Sequence, residues 1–205
     1  VVDEGDPLNN VLYNKSIDKI KNLGFFNEVN SEVVDGSNEN LKIINITVEE
    51  QPTGEISMGA GYGSSGSTIG AGIVEKNFLG KGINLNTNFE LTEESLKGQF
   101  IFSKPNFNYS ENTLRTSFKA LTTDNLDDFG YKQSETGFSL GTTFEQYENL
   151  FFSPEVALTL EDLETNSNAS SNLKKQEGKY EDFYFNYGLN YDLRDSIYYP
   201  TTGTK

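Results

Sequence analysis

Hydrophobic positions change their period once along this chain. Over residues 6–27, Val11, Leu12, Ile17, Ile20, Leu23 and Phe26 recur at steps of three and four, with Lys15, Asp18, Lys19 and Lys21 between them. That spacing predicts one amphipathic helix. Asp6-Pro7 reads as a cap followed by proline at the first helical position, and Gly24 closes the segment. Two short strands are expected next, over residues 29–34 and 41–49, joined by Asp35-Gly36-Ser37-Asn38. In the second, Ile44, Ile46 and Val48 alternate with Asn45, Thr47 and Glu49, so one face is expected to pack on the helix.

After Gln51-Pro52-Thr53-Gly54 the period becomes two and stays there, which marks a domain boundary between residues 1–51 and 52–205. Alternation is clearest where Ile83, Leu85, Thr87, Phe89 and Leu91 interleave with Asn84, Asn86, Asn88 and Glu90. It returns where Phe183, Phe185, Tyr187, Leu189, Tyr191 and Leu193 interleave with Tyr184, Asn186, Gly188, Asn190 and Asp192. Weaker copies lie at Ile56/Met58/Ala60/Tyr62, Ile69/Ala71/Ile73, Leu114/Thr116/Phe118/Ala120, Phe138/Leu140/Thr142/Phe144 and Phe152/Pro154/Val156/Leu158/Leu160, with Phe100 and Phe102 between. Eight strands are expected. Their length suits a membrane strand of ~9–11 tilted residues better than a soluble strand of ~5–6. On that reading Ile83, Leu85, Phe89, Leu91, Phe183, Phe185, Tyr187 and Leu189 face lipid, and the polar alternates line a wet lumen.

Connections point the same way. Links rich in aromatics and Gly or Pro lie at residues 77–82, 104–109 and 146–151, and polar or acidic stretches at 123–132 and 161–179. Short turns inside and longer loops outside are the habit of outer-membrane barrels. The first strand then runs outward, Ser64-Ser65-Gly66-Ser67 lies outside, and the aromatics of the short links sit at the membrane boundary.

Composition narrows the chemistry. Sixteen basic against thirty-one acidic residues give a net charge of -15, which disfavours nucleic acid as a partner. No cysteine and no histidine removes thiolates, the commonest general base and most metal ligand sets. Paired carboxylates do not stand out as a hydrolase site, so a non-enzymatic protein without cofactor or metal is expected. Gly59-Ala60-Gly61-Tyr62-Gly63-Ser64 opens like a dinucleotide fingerprint, but a strand follows where a helix is needed. Asp124 to Asp128 with Gly130 lacks the spacing of a calcium loop. The sequons at Asn45, Asn108 and Asn168 carry little weight on an outer-membrane, hence bacterial, reading. Both ends look cut, the first at Val1-Val2-Asp3 and the last just after Pro200-Thr201-Thr202-Gly203.

Five stretches together resemble the outer-membrane protein assembly factor family, the BamA-type insertases. They are Asn14-Lys15-Ser16-Ile17-Asp18 through Leu23-Gly24-Phe25-Phe26; Val48-Glu49-Glu50-Gln51-Pro52-Thr53-Gly54-Glu55-Ile56; Gly59-Ala60-Gly61-Tyr62; Glu75-Lys76-Asn77-Phe78-Leu79-Gly80-Lys81-Gly82; and Tyr198-Tyr199-Pro200-Thr201-Thr202-Gly203-Thr204. The resemblance implies a mainly β fold: part of the last POTRA domain, a periplasmic α+β unit, followed by antiparallel up-and-down strands of a transmembrane β-barrel, about eight of an expected sixteen. It implies that the first strand and most of the first helix of the POTRA unit are missing, as is the family's Arg-Gly-Phe/Tyr loop motif.

The same resemblance implies insertion of β-barrel proteins into the bacterial outer membrane. The exposed first-strand edge, Glu55, Ile56, Ser57, Met58, Gly59, Ala60, Gly61, Tyr62 and Gly63, would pair with a client strand. Partners would be unfolded outer-membrane clients, assembly-complex lipoproteins on the periplasmic side and the lipid bilayer. The strand's glycines suit a strand that bends or unpairs, or, alternatively, close backbone contacts at a barrel corner. Rival functions are a protein-secretion pore of the same superfamily and a soluble β-sheet binding module. Two open strand edges would lead the chain to close into a small barrel or to pair edge to edge with a second copy.

Overall fold

The computed structural model describes residue 2 and residues 4–38, 41–63, 66–194 and 202–204. The chain divides into two compact units, Val1–Gly54 and Glu55–Lys205, three residues beyond the expected boundary.

In the first unit, α1 (Asn10–Asn22) precedes a two-stranded antiparallel sheet of β1 (Phe26–Asp35) and β2 (Lys42–Glu50). The helix starts later than expected. Asn9, not Asp6, is its cap, with Oδ1 accepting from Val11 N at 2.8 Å and Leu12 N at 3.3 Å. A side-chain amide that binds two free N–H groups in the first turn outcompetes an Asp-Pro pair three residues upstream. Gly24 takes φ +68°, the left-handed turn that ends a helix. Phe26, expected on the helix, is the first residue of β1.

The helix contacts β1. Tyr13 donates to Ser31 Oγ at 2.6 Å, and Ser31 pairs with Ile46, so the helix covers the face that Ile44, Ile46 and Val48 share. Coverage is thin: Ile17 is buried, while Ile46 and Val48 stay exposed. Gln51 closes the unit by donating N to Phe25 O and Nε2 to Gly24 O, both at 3.0 Å. Two of the stretches behind the family resemblance therefore meet at this clasp.

The second unit is one eight-stranded antiparallel sheet. Its strands are β3 (Gly54–Gly63), β4 (Gly66–Phe78), β5 (Ile83–Thr92), β6 (Ser95–Lys104), β7 (Thr113–Asn125), β8 (Tyr131–Tyr147), β9 (Leu150–Thr165) and β10 (Gly178–Tyr191). Each neighbours the next, in the order β3 to β10 without a crossover. All eight expected strands are present, ten to seventeen residues long. Closure into a small barrel is not seen: β3 and β10 are the two ends of the sheet, not neighbours. A strand twists only ~20–25° against its neighbour, and full closure depends on strand number, tilt and stagger agreeing.

Connections follow the expected short-inside, long-outside rule only in part. At one end of the sheet lie residues 79–82, 105–112 and 148–149; at the other lie 93–94, 126–130 and 166–177. The eight-residue link is thus at the expected short end, and a two-residue hairpin at the expected long end. The acidic stretches shrink because their flanks are paired: Asp124 and Asn125 with Lys132 and Tyr131, and residues 161–165 with β8. Of the expected outer loop at 64–67, residues 64–65 lie outside the described residues, as do 198–201 of the last family stretch.

Candidate functional site

Side chains opposite one another in an antiparallel ladder project from the same face, so the register sorts the sheet into two surfaces. One row reads Ile73, Thr87, Phe100, Phe118, Phe138, Leu158, Phe183 from β4 to β10. The next reads Glu75, Leu85, Phe102, Thr116, Leu140, Val156, Phe185. No layer covers this surface. Phe89, Leu91, Phe118, Phe138 and Leu158 are exposed, and Phe183, Phe185, Tyr187 and Leu189 on the last strand are 63–73% accessible. Leu85 is half-buried, and Ile83 is only 8% accessible because it sits against the 79–82 turn, paired with Phe78. Six of the eight expected lipid-facing residues are thus exposed, Leu85 is half-buried, and Ile83 is covered by its own hairpin.

Among the described residues the buried hydrophobics are Ile17, Ile83, Leu163 and Ala169. A sheet that leaves most of its large apolar side chains on one uncovered face has no hydrophobic core to stabilise it, and a surface of this extent marks a membrane or protein interface. Its height decides between them. On β9 the apolar positions run from Leu150 through Phe152, Pro154, Val156 and Leu158 to Leu160, with Asp162 next. At ~3.3 Å per residue and a tilt of about 40°, that is roughly 25 Å of height, the apolar band of an outer-membrane barrel.

The opposite face is polar and bonded across the strands. Lys97 pairs with Glu90 at 2.9 Å, and Lys119 with Glu135. Ser117 and Ser139 hydroxyls meet at 2.7 Å, Ser139 donates to Glu155 at 3.1 Å, and Asn186 donates to Glu155 at 3.3 Å. Gln133 donates to Glu161 at 2.7 Å. Ser139 and Thr159 are buried here, in a cleft that Lys119, Glu135, Glu155, Glu161 and Tyr184 also line. Such a network needs water or its own partners, and it has both sides of that requirement: charges that are partly exposed and hydroxyls that are bonded.

β3 differs from every other strand. It ends the sheet, and all ten of its residues, Glu55 to Gly63 among them, are exposed; Ile56, Met58 and Tyr62 are 75–85% accessible. Its polar face is glycine at 59, 61 and 63, and nothing lies within 4 Å of a Cβ built at any of the three. Close contact with the described backbone of this chain therefore does not explain these glycines. Ser57 Oγ donates to Gly72 O at 3.5 Å, the limit of a hydrogen bond. One edge of β3 bonds to β4, and its other edge carries N–H and C=O groups without a strand beside them.

No group of three or more acidic side chains that could hold a metal occurs among the described residues. Asp124 instead binds Lys132 at 3.1 Å and accepts from Leu126 N. Sequence reasoning missed the clasp at this end of the sheet. Asn166 donates N to Gly130 O and Nδ2 to Leu126 O, both at 2.8 Å, joining the 126–130 and 166–177 loops. Only Gly130, two residues after Asp127-Asp128, hinted at it.

Known proteins share this arrangement. A "Putative outer membrane protein assembly factor" from Treponema pallidum (strain Nichols) is 30% identical over 159 residues, 75% of this chain and 19% of the relative. The crystal structure of BamA from Haemophilus ducreyi lacking POTRA domains 1–3 matches 99% of this chain and 42% of its own, with a TM-score of 0.75 at 25% identity. CdiB from Escherichia coli shares the fold at 15% identity, with a TM-score of 0.54 over 92% of this chain and 37% of its own. The chain thus spans about a fifth of the curated relative. The Omp85 superfamily domain model matches residues 77–205, from the end of β4 through β10. That match covers more than half of the sequence, and the chain belongs to the Omp85 superfamily.

Proposed function

We propose that the chain is part of an outer-membrane barrel that assembles other β-barrel proteins into the membrane, with the free edge of β3 as the template for an incoming client strand. The observation that carries this reading is β3 itself: a terminal strand, exposed throughout, whose glycines pack against nothing. A client strand added there gains backbone hydrogen bonds that read no sequence, which suits a protein handling many clients. The glycines lower the cost of bending or unpairing the strand, since each forgoes cross-strand side-chain contact.

The apolar band adds support. On β4 it spans Ile69, Ala71 and Ile73 before Glu75 interrupts the face, about 13 Å of strand against about 33 Å on β9. A shorter band draws the two leaflets together, so the bilayer beside β3 is thinned, and a client crosses less hydrocarbon there. The step needs no bond made or broken, so the protein acts without enzymatic chemistry or cofactor. On the family resemblance, the Val1–Gly54 unit is the end of the last POTRA domain, stands in the periplasm and faces assembly lipoproteins.

Absence of cysteine allows a clean test. The whole protein carrying this chain, reconstituted in vesicles with single cysteines at Ile56, Met58 or Ala60, is expected to cross-link to a client stalled during insertion, and a cysteine at Asn88 on β5 is not. Equal cross-linking from both strands would defeat the edge reading. Passage of a soluble partner into the vesicles, without client insertion, would favour a secretion pore.

A further inference from the structure

Thr159 stands out on the polar face. It is 8% accessible and lines the cleft of about 480 Å³ that crosses β7, β8, β9 and β10, yet its hydroxyl has no hydrogen-bond partner among the described residues. A nearly buried hydroxyl left unbonded is unfavourable, and the cleft is where a partner can reach it. The ladder shows what surrounds it. Gly137 stands opposite on β8 and Asp182 opposite on β10, while Glu161, two residues along β9, is paired with Glu135.

Charge in this cleft does not balance. Lys119 is joined to Glu135, and its stem fills the space over Gly137, where an added Cβ would overlap it. Arg115 lies two rows away on β7, level with Glu155. Glu161 and Asp182 are half-buried and have no ion pair among the described residues; the hydrogen bond from Gln133 Nε2 to Glu161 is neutral. Glu135, Glu155, Glu161 and Asp182 thus face Lys119 and Arg115, an excess of two negative charges. Carboxylates drawn partly out of water without a counter-charge are costly. Among the described residues the acids are not gathered closely enough to hold a metal ion, so a larger cation is needed.

We infer that the cleft binds a primary ammonium group on an aliphatic stem, held by Glu161 and Asp182 and bonded to the Thr159 hydroxyl. An ammonium brings three donors to these three acceptors. Its stem has Ala157 and the Tyr184 ring to lie against, both of which line the cleft. The group is either the lysine side chain of a polypeptide segment inside the barrel or a free amine; the cleft reads the same chemistry in both. The site is on β7 to β10, away from the β3 edge, and does not depend on client pairing there.

The chain contains no cysteine, so A157C places one thiol of this chain in the cleft. In the whole protein carrying this chain, in detergent at low salt, its reaction with a cationic and an anionic methanethiosulfonate is compared with that of S103C, on the same face of β6. An open cleft should favour the cationic reagent by about fivefold over the reference, n-butylammonium should slow that reaction several-fold, and E161Q/D182N should abolish both effects. A cleft already filled by a lysine of the protein should leave A157C slow with both reagents until E161Q/D182N releases it. Either pattern supports the inference, and the two separate the sources. A cationic preference that n-butylammonium does not touch would mean an acidic wall without a site and would overturn it, as would rates that E161Q/D182N leaves unchanged. The amide substitutions keep size and hydrogen bonding, and circular dichroism checks that the sheet is intact.

Discussion

Gly59, Gly61 and Gly63 separate two explanations of a glycine-rich strand. If they admitted a neighbouring backbone, a side chain would clash, yet a Cβ at each meets nothing within 4 Å. Gly59→Val with Gly61→Val should therefore be tolerated and should stabilise the folded sheet, by about 0.5–1 kcal/mol per site from the conformational freedom glycine loses on folding. The same stiffening should slow client insertion several-fold, read by protease protection of a client in vesicles; unchanged insertion would detach the glycines from function. Gly130 is the opposite case. Its φ is +76°, and an added Cβ would overlap the Ala169 backbone N. Gly130→Ala should cost about 2 kcal/mol in the loop clasp, visible as faster proteolysis within residues 166–177. The family resemblance pointed to Gly59 and Gly61 and gave no reason to choose between the explanations. That choice required the space around them, which no sequence pattern records.

Strands were legible because each keeps a period of two over many residues, and their number and order follow from that alone. Ends were not. β7 and β9 run further into the acidic stretches than alternation suggests, because ladder pairing with β8 and ion pairs such as Lys132–Asp124 hold residues that composition marks as loop. Pro154 sits inside β9, where its missing N–H interrupts the ladder; the Thr143 and Ser153 hydroxyls, 2.8 Å apart, bridge the gap. The face assignment gives a direct contrast. On the membrane reading, Phe118→Arg, which puts a charge on the apolar face of β7, should cost about 2–4 kcal/mol, while Asn88→Arg on the polar face of β5 should cost under about 0.5 kcal/mol. Urea unfolding from liposomes measures both, and equal costs would mean that the two faces see the same solvent. Lys119 and Glu135 are 51% and 23% exposed, so a double-mutant cycle on them should return no more than about 1 kcal/mol.

At the scale of the whole molecule, the two ends of the sheet set the behaviour of these 205 residues in isolation. Among the described residues β3 and β10, ten and fourteen residues long, each have a strand on one edge only, and the sheet does not bring them together. Two copies can satisfy those edges mutually. A ten-residue antiparallel pair makes roughly ten hydrogen bonds at about 0.5–1.5 kcal/mol net each, against an association cost of about 4–15 kcal/mol. The two ranges overlap, so the backbone bonds alone do not fix the affinity, and dimerisation is sensitive to smaller terms. Charge is one of them. Copies at -15 each repel one another, and salt screens that repulsion beyond about 10 Å at 0.1 M. Light scattering in detergent should therefore show a monomer–dimer equilibrium that shifts to dimer as salt rises. Ala60→Pro and Leu189→Pro, which remove an N–H from β3 and β10, should shift it back to monomer. A chain that stays monomeric at high salt and at the highest concentration attainable would mean that its edges do not pair with one another. Free edges in the isolated chain would then say nothing about how β3 receives a client.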